Sequence, residues 1–266
     1  MADSETKVTL HWLNGSRAQG TMWLLEELQV PYELDVHHRL PTGFAPPEAD
    51  KLHILGKFPI VSISGGGQEK PLVLAESAFI IQYLSEHFTH ARNLVPRRWR
   101  DGQEGKIGGE TEAWMRYQYL LYYMEGSFMF PQLIYFFMDA LATRPPFFIR
   151  PLTRFIANQV TALLVMPNMK RHLAMLENYL ETSPDGGSYL CGAELTGADI
   201  LFAYPLMAAM HMDAYDKMGR WEKGSFRDTF PKLHAYIGRL GEEPGWKRAV
   251  EKVKEAEGGF SILPEN

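Results

Sequence analysis

The chain has one cysteine, Cys191, among 266 residues. One cysteine cannot close an internal disulfide, so the fold does not rely on an oxidising compartment, and a zinc cluster of cysteines is excluded. An excess of positive charge is missing too. Lys and Arg number 27 against 32 Asp and Glu, a formal net charge of −5. Nucleic-acid binding ordinarily needs a basic face, and the local run Arg97-Arg98-Trp99-Arg100 is answered by Asp101 and Glu104. The start, Met1 to Lys7, is polar and acidic and holds no apolar signal core. Long apolar runs are also absent. The greasiest stretch, Tyr119 to Met138, is interrupted by Glu125, Gly126 and Pro131, too early to span a bilayer. These absences point to a cytoplasmic protein with no metal. The aromatic stretches Phe128–Phe137 and Phe147-Phe148-Ile149 would suit peripheral contact with a membrane surface, although core or ligand pocket is the commoner role of such stretches.

What is present is enough apolar material for a large core: 45% of the residues are hydrophobic and 22% charged. Residues 7–13 alternate and are rich in strand formers. The turn Asn14-Gly15-Ser16 then leads into a helix over 17–28, with Ser16 able to cap it. Pro31 ends that helix, and residues 32–36 alternate as a second strand. Residues 37–56 are irregular with a helical patch near 48–52. Strands are expected at 60–64 and 72–75, joined by a hairpin turn at Gly65-Gly66-Gly67, and a helix follows from Glu76-Ser77 to about His87. The order β-α-β-α-β-β-α is the thioredoxin-like arrangement. A charge- and glycine-rich linker covers residues 91–109. Beyond it the period is helical throughout, with helices expected at 110–128, 131–142 and 152–180, and another starting at Thr196. The domains are therefore 1–90, α/β, and 110–266, all-helical.

Three short motifs carry chemistry. In Gly56-Lys57-Phe58-Pro59-Ile60, a proline opens a strand after a turn, where a cis peptide bond is a minority possibility from sequence alone. In the thioredoxin-like layout such a bond exposes the N–H and C=O of the preceding residue, here Phe58, to an added extended peptide. Ala75-Glu76-Ser77 lies at a strand-to-helix junction, where free N–H groups and the dipole favour a carboxylate. The Ser77 hydroxyl suits that carboxylate, and the Glu76 side chain suits a neighbouring ammonium. A plain helix cap is the competing role. Asn14-Gly15-Ser16-Arg17 opens the first helix. A free thiol titrates near about 8.5, and lowering that by about two units needs about 2.7 kcal/mol. A hydroxyl bonded to the thiolate gives roughly 1.5–3 kcal/mol and a helix N-terminus roughly 0.3–1 kcal/mol, so the pair suffices without a base.

Taken with Leu74-Ala75-Glu76-Ser77 and Leu195-Thr196-Gly197-Ala198-Asp199-Ile200, these motifs resemble the glutathione transferase family across nearly the whole chain. The likeness is to its fungal branch, typified by a yeast transferase associated with the endoplasmic reticulum. The resemblance implies a thioredoxin-like domain followed by an all-α domain, a homodimer, and glutathione as co-substrate without another cofactor. It implies an enzyme that conjugates glutathione to hydrophobic electrophiles in detoxification, with peroxidase activity toward organic hydroperoxides as a further possibility. A non-catalytic glutathione- or ligand-binding regulator on the same fold is the alternative. The Phe58 backbone beside Pro59, with Glu76 and Ser77, matches the glutathione site. Lys57, and less directly His53, are placed to reach its glycine carboxylate. Ser16 matches the thiol-activating position of serine-type members, Asn14 and the backbone N–H groups compete for that role, and Arg17 adds field. The electrophile pocket is expected on the first helix of the helical domain, with Tyr117, Leu121, Met124 and Phe128 as candidates at helical spacing; core packing competes at each. Thr196 and Asp199 form a capping box, stapled by Leu195 and Ile200, with a structural role.

Overall fold

The computed structural model describes residues 6–65, 67 and 69–263. Strands β1 (Lys7–Leu13), β2 (Tyr32–His37), β3 (Ile60–Ser64) and β4 (Leu72–Ala75) form one sheet in the order β2-β1-β3-β4. β1 and β2 run parallel, joined through helix α1 (Ala18–Leu28), while β3 and β4 are antiparallel to their neighbours. Alternation along β1 sends Val8, Leu10 and Trp12 into the main core with α1 and helix α3 (Ser77–His87). The opposite face carries a small separate cluster of Leu13, Ala49 and Phe58, where the short helix α2 (Ala49–Leu52) packs. The hairpin turn includes Gly66, which lies outside the described residues; Gly65 and Gly67 on either side both have positive φ.

On the face of Leu13, His11 and His37 meet the Asp35 carboxylate at 2.7 and 2.9 Å, and Ser62 holds the other ring nitrogen of His11 at 2.8 Å. Burial works to raise the Asp35 pKa, but the hydrogen bonds from the two histidines outweigh it and hold the carboxyl below its ordinary value. A folded-state pKa below the unfolded one stabilises above the unfolded value and is lost as pH falls through the folded one. Asp35→Asn is therefore expected to lower the urea midpoint at neutral pH and to converge on wild type below about pH 4, the ordinary aspartate value. A gap of equal size at both pH values would refute the assignment.

The helical part differs from the sequence expectation in one respect. Pro131 does not break the chain into separate helices. Helix α4 (Glu112–Tyr123) passes through a π-turn (Met124–Phe128) directly into α5 (Met129–Thr143). The return leg repeats the device: α6 (Arg150–Val160), a π-turn (Thr161–Val165) and α7 (Met166–Glu181). Each π-turn is followed within three residues by a proline, Pro131 and Pro167. The wider turn redirects the backbone just where the proline ring would otherwise collide with the preceding turn. Helices α8 (Gly197–His211), α9 (Ala214–Met218), α10 (Phe226–Thr229), α11 (Pro231–Glu242) and α12 (Pro244–Glu257) complete the bundle. α12 docks on α1 through Glu27, which accepts from Trp23 Nε1, Gly245 N and Arg92 Nη1 at 2.9, 3.0 and 2.8 Å.

The segment between the two parts is closed on itself by backbone bonds, including Arg100 N to Gly109 O and Thr111 N to Arg98 O at 3.0 and 2.7 Å. The Arg98 guanidinium is sandwiched between Trp99 and Trp114, 4.4 and 4.5 Å from their ring centroids.

Candidate functional site

The sheet register gathers all three sequence motifs at one edge. β1 leaves the sheet at Leu13, β3 enters at Ile60 opposite His11, and Ile60 also pairs with Ala75 near the end of β4. The turn 14–17, the Phe58-Pro59 bond and the Glu76-Ser77 junction are therefore neighbours. The Phe58-Pro59 bond is cis. Among the described residues neither backbone group of Phe58 has a backbone partner, so both remain open to an incoming peptide. Glu76 is exposed and sits at φ 71°, a region a non-glycine residue seldom occupies. Ser77, the first residue of α3, is buried, and its hydroxyl has no hydrogen-bond partner. Lys57 is exposed, and His53 is half-buried with Nδ1 accepting from Leu55 N at 3.4 Å.

A cleft of about 460 Å³ opens beside this edge. Ser16, Arg17 and Arg39 supply its polar floor beside Phe58, and Met129, Leu133, Phe136 and Ala140 of α5 with Tyr204 and Ala208 of α8 supply a largely apolar wall, edged by Gln132, Asp139 and Arg144. The Ser16 hydroxyl donates to Leu13 O at 2.7 Å and accepts from Ala18 N at 3.2 Å. It supports the helix start as expected, but from one residue outside the cap position, which Arg17 holds. Arg17 Nη1 donates to both oxygens of Glu125 at 2.7 Å, tying the start of α1 to the first π-turn.

Two placements correct the sequence expectation. Tyr117, Leu121, Met124 and Phe128 are all 2% exposed or less and do not line the cleft. Their spacing marks the α4 stripe that faces the core; the cleft wall comes from the α5 face beyond the π-turn. Asn14 does not share the cleft with Ser16. It lines a second cavity with Trp12, Val253 and Glu257, and its Oδ1 accepts from Arg39 N at 2.9 Å. Arg39 was not singled out by sequence, since it sits in an irregular stretch without periodicity. Its guanidinium also donates to Asn14 O and Gly15 O at 3.1 Å each and so fixes the turn.

His11, Asp35 and His37 bring one ligand atom each within 4.8 Å of one another, which could hold a metal ion, but they lie outside the cleft. Cys191 is buried, far along the helical part, and burial pushes its thiol well above the ordinary value, so it is no thiol-exchange nucleophile.

Comparison with known proteins agrees with this geometry. Residues 15–87 match the family model described as "Glutathione S-transferase, N-terminal domain", and residues 157–239 match its C-terminal counterpart, together more than half of the chain. The chain is 29% identical over 254 residues to Glutathione S-transferase 1 of Saccharomyces cerevisiae, covering 95% of this chain and 98% of that one. It is 28% identical over 253 residues to Glutathione S-transferase 3 of Schizosaccharomyces pombe, covering 93% and 88%. A glutathione S-transferase structure from Actinobacillus pleuropneumoniae superposes with TM-score 0.64 at 26% identity, covering 96% of this chain and 95% of that one. A Phanerochaete chrysosporium glutathione transferase solved with oxidised glutathione reaches the same TM-score at 17% identity, covering 98% and 100%, a likeness of fold. With both halves matched by that family's models, near-full-length relatives of the same name and a thioredoxin-like sheet joined to a helical bundle, this chain belongs to the glutathione S-transferase family.

Proposed function

We propose that the protein binds glutathione along the edge formed by Phe58-Pro59 and Glu76-Ser77, and adds its thiol to hydrophobic electrophiles held in the cleft. The observation that carries this reading is that one cavity joins Ser16, Arg17 and Phe58 to an apolar wall, so a thiol and a greasy electrophile would meet there. The cysteinyl backbone would pair with Phe58 as an added strand, and the γ-glutamyl carboxylate would take the Ser77 hydroxyl and the N-terminus of α3. The Glu76 side chain would receive the ammonium, and Lys57 or His53 the glycine carboxylate. Organic hydroperoxides would enter the same cleft for reduction. The reaction needs no further cofactor, and the family resemblance favours a homodimer in the cytoplasm.

One observation favours the non-catalytic alternative: the Ser16 proton is already given to Leu13 O. To stabilise a thiolate, the hydroxyl must turn away from that carbonyl, or the work falls to backbone N–H groups at the start of α1. Ultraviolet titration of bound glutathione in wild type and Ser16→Ala separates these. Ionisation in the wild type near pH 6–7, about two units below the free thiol, and near the free value in the variant assigns activation to Ser16. Low values in both transfer it to the helix start. Unshifted values in both remove the transferase reading and leave a binding protein.

A further inference from the structure

The tip of the long helical hairpin, where α5 turns into α6, does not behave as a surface meant for water. Phe147, Phe148, Leu152 and Phe155 are 81%, 70%, 64% and 61% exposed, and Phe137 behind them 67%. α6 has a strongly amphipathic sequence, yet Ala157 is its one buried residue. Its apolar side chains therefore point away from the core that an amphipathic helix ordinarily covers. The charge there is also one-sided. From Ala140 to Leu176 there is no Asp or Glu, while Arg144, Arg150, Arg154, Lys170 and Arg171 are present in a chain whose net charge is −5. Arg144 and Arg154 are exposed beside the aromatic tip, and Arg150 donates to Pro145 O at 3.1 and 3.0 Å, which fixes the shape of the turn.

We propose that this tip docks on an anionic lipid bilayer, its phenylalanines and leucine at the acyl boundary and its arginines at the phosphates. The run of five basic residues without an acid between residues 140 and 176 matches the phosphates of such a bilayer. On the two-fold axis of a dimer formed through the tip, arginine would face arginine; seating on another part of a second copy is read out in the test below as loss of a dimer. The tip is continuous with the cleft: Leu133 and Phe136 of α5 and Arg144 just past its end line the cleft, and Arg144 also flanks the tip. Docked there, the cleft opens at the bilayer surface, and its electrophiles are hydrophobic molecules dissolved in the membrane. This last step rests on the transferase reading; the docking does not.

The test is sedimentation of the full chain with vesicles of phosphatidylcholine plus phosphatidylserine and with phosphatidylcholine alone, without glutathione. Wild type is expected to bind the anionic vesicles, more weakly as salt is raised, and Phe147→Ser/Phe148→Ser to lose at least about tenfold in partitioning. Because both side chains are exposed, the variant should keep its melting temperature and its rate with a water-soluble electrophile, which separates failure to dock from failure to fold. Absence of binding to anionic vesicles, equal binding by the variant, or a variant whose change is loss of a dimer with vesicle binding unaltered would each overturn the proposal. A failed glutathione titration with intact vesicle binding would sink the transferase reading and leave the docking in place.

Discussion

Replacing Asp199 with alanine is expected to cost about 3–5 kcal/mol of stability, against the roughly 5–15 kcal/mol that an ordinary domain possesses. Asp199 is completely buried, and its carboxylate accepts four hydrogen bonds: from Thr196 N and Oγ1 at 2.8 and 2.7 Å, Leu190 N at 3.1 Å and Tyr236 Oη at 2.8 Å. Burial pushes the carboxyl pKa up, and those four donors act against that pressure. Alanine leaves all four donors in the core with nothing to bond, and each buried orphan costs about 1–3 kcal/mol before relaxation and water entry reduce the total. The consequence reaches beyond one helix start, because the four bonds join α8, α11 and the loop at Leu190. Urea denaturation measures it. A loss near 1 kcal/mol, the ordinary cost of removing a helix cap, would mean that Asp199 is only a cap and not the hub of the helical core.

Ser77→Ala should do the reverse: leave stability intact and weaken glutathione binding roughly ten- to hundredfold, the worth of one hydrogen bond to a charged group. The Ser77 hydroxyl is covered and has no partner in the free protein, so folding gains nothing from it and alanine removes an unsatisfied group. On the proposed reading the γ-glutamyl carboxylate supplies that partner, after a rotation of the side chain toward the ligand. Calorimetric titration with glutathione, alongside a melting curve, reads both quantities on one sample. Unchanged affinity would remove Ser77 from the site; lowered affinity with an equal loss of stability would reduce it to a structural role.

The α/β part was legible almost residue by residue. Period-two runs bounded by Gly and Pro gave strands that match β1, β3 and β4, because alternation reports directly which side chains face the α1–α3 core. Glu76 and the cis bond before Pro59 were reachable for another reason: the element order located them at the edge where strands 1 and 4 end and strand 3 begins. The cleft was not legible. Tyr117, Leu121, Met124 and Phe128 have the spacing of one helix face, and periodicity reports that the face is covered without telling whether core or ligand covers it. Pro131 read as a break because local propensity treats it alone; a π-turn placed just before a proline is a combination of residues. Arg39 escaped because a side chain that pins a loop through carbonyls leaves no periodic trace.

The π-turn at Met124–Phe128 has a consequence for how proteins of this kind change their substrates. In an α-helix each residue turns the chain by about 100°. The lower part of this rod is fixed by the core stripe of α4, whereas Met129, Leu133, Phe136 and Ala140 on the upper part face the cleft. Winding the same residues as an unbroken α-helix would swing the upper part by about that angle, bringing a different row of side chains to the cavity, whereas deleting one residue within the π-turn would restore an α-turn and leave the present row in place. The chemical specificity of the wall is thus coupled to the width of one turn, not only to the identity of its members, and a change that closes that turn without shortening the chain re-aims a whole pocket whose residues have not changed.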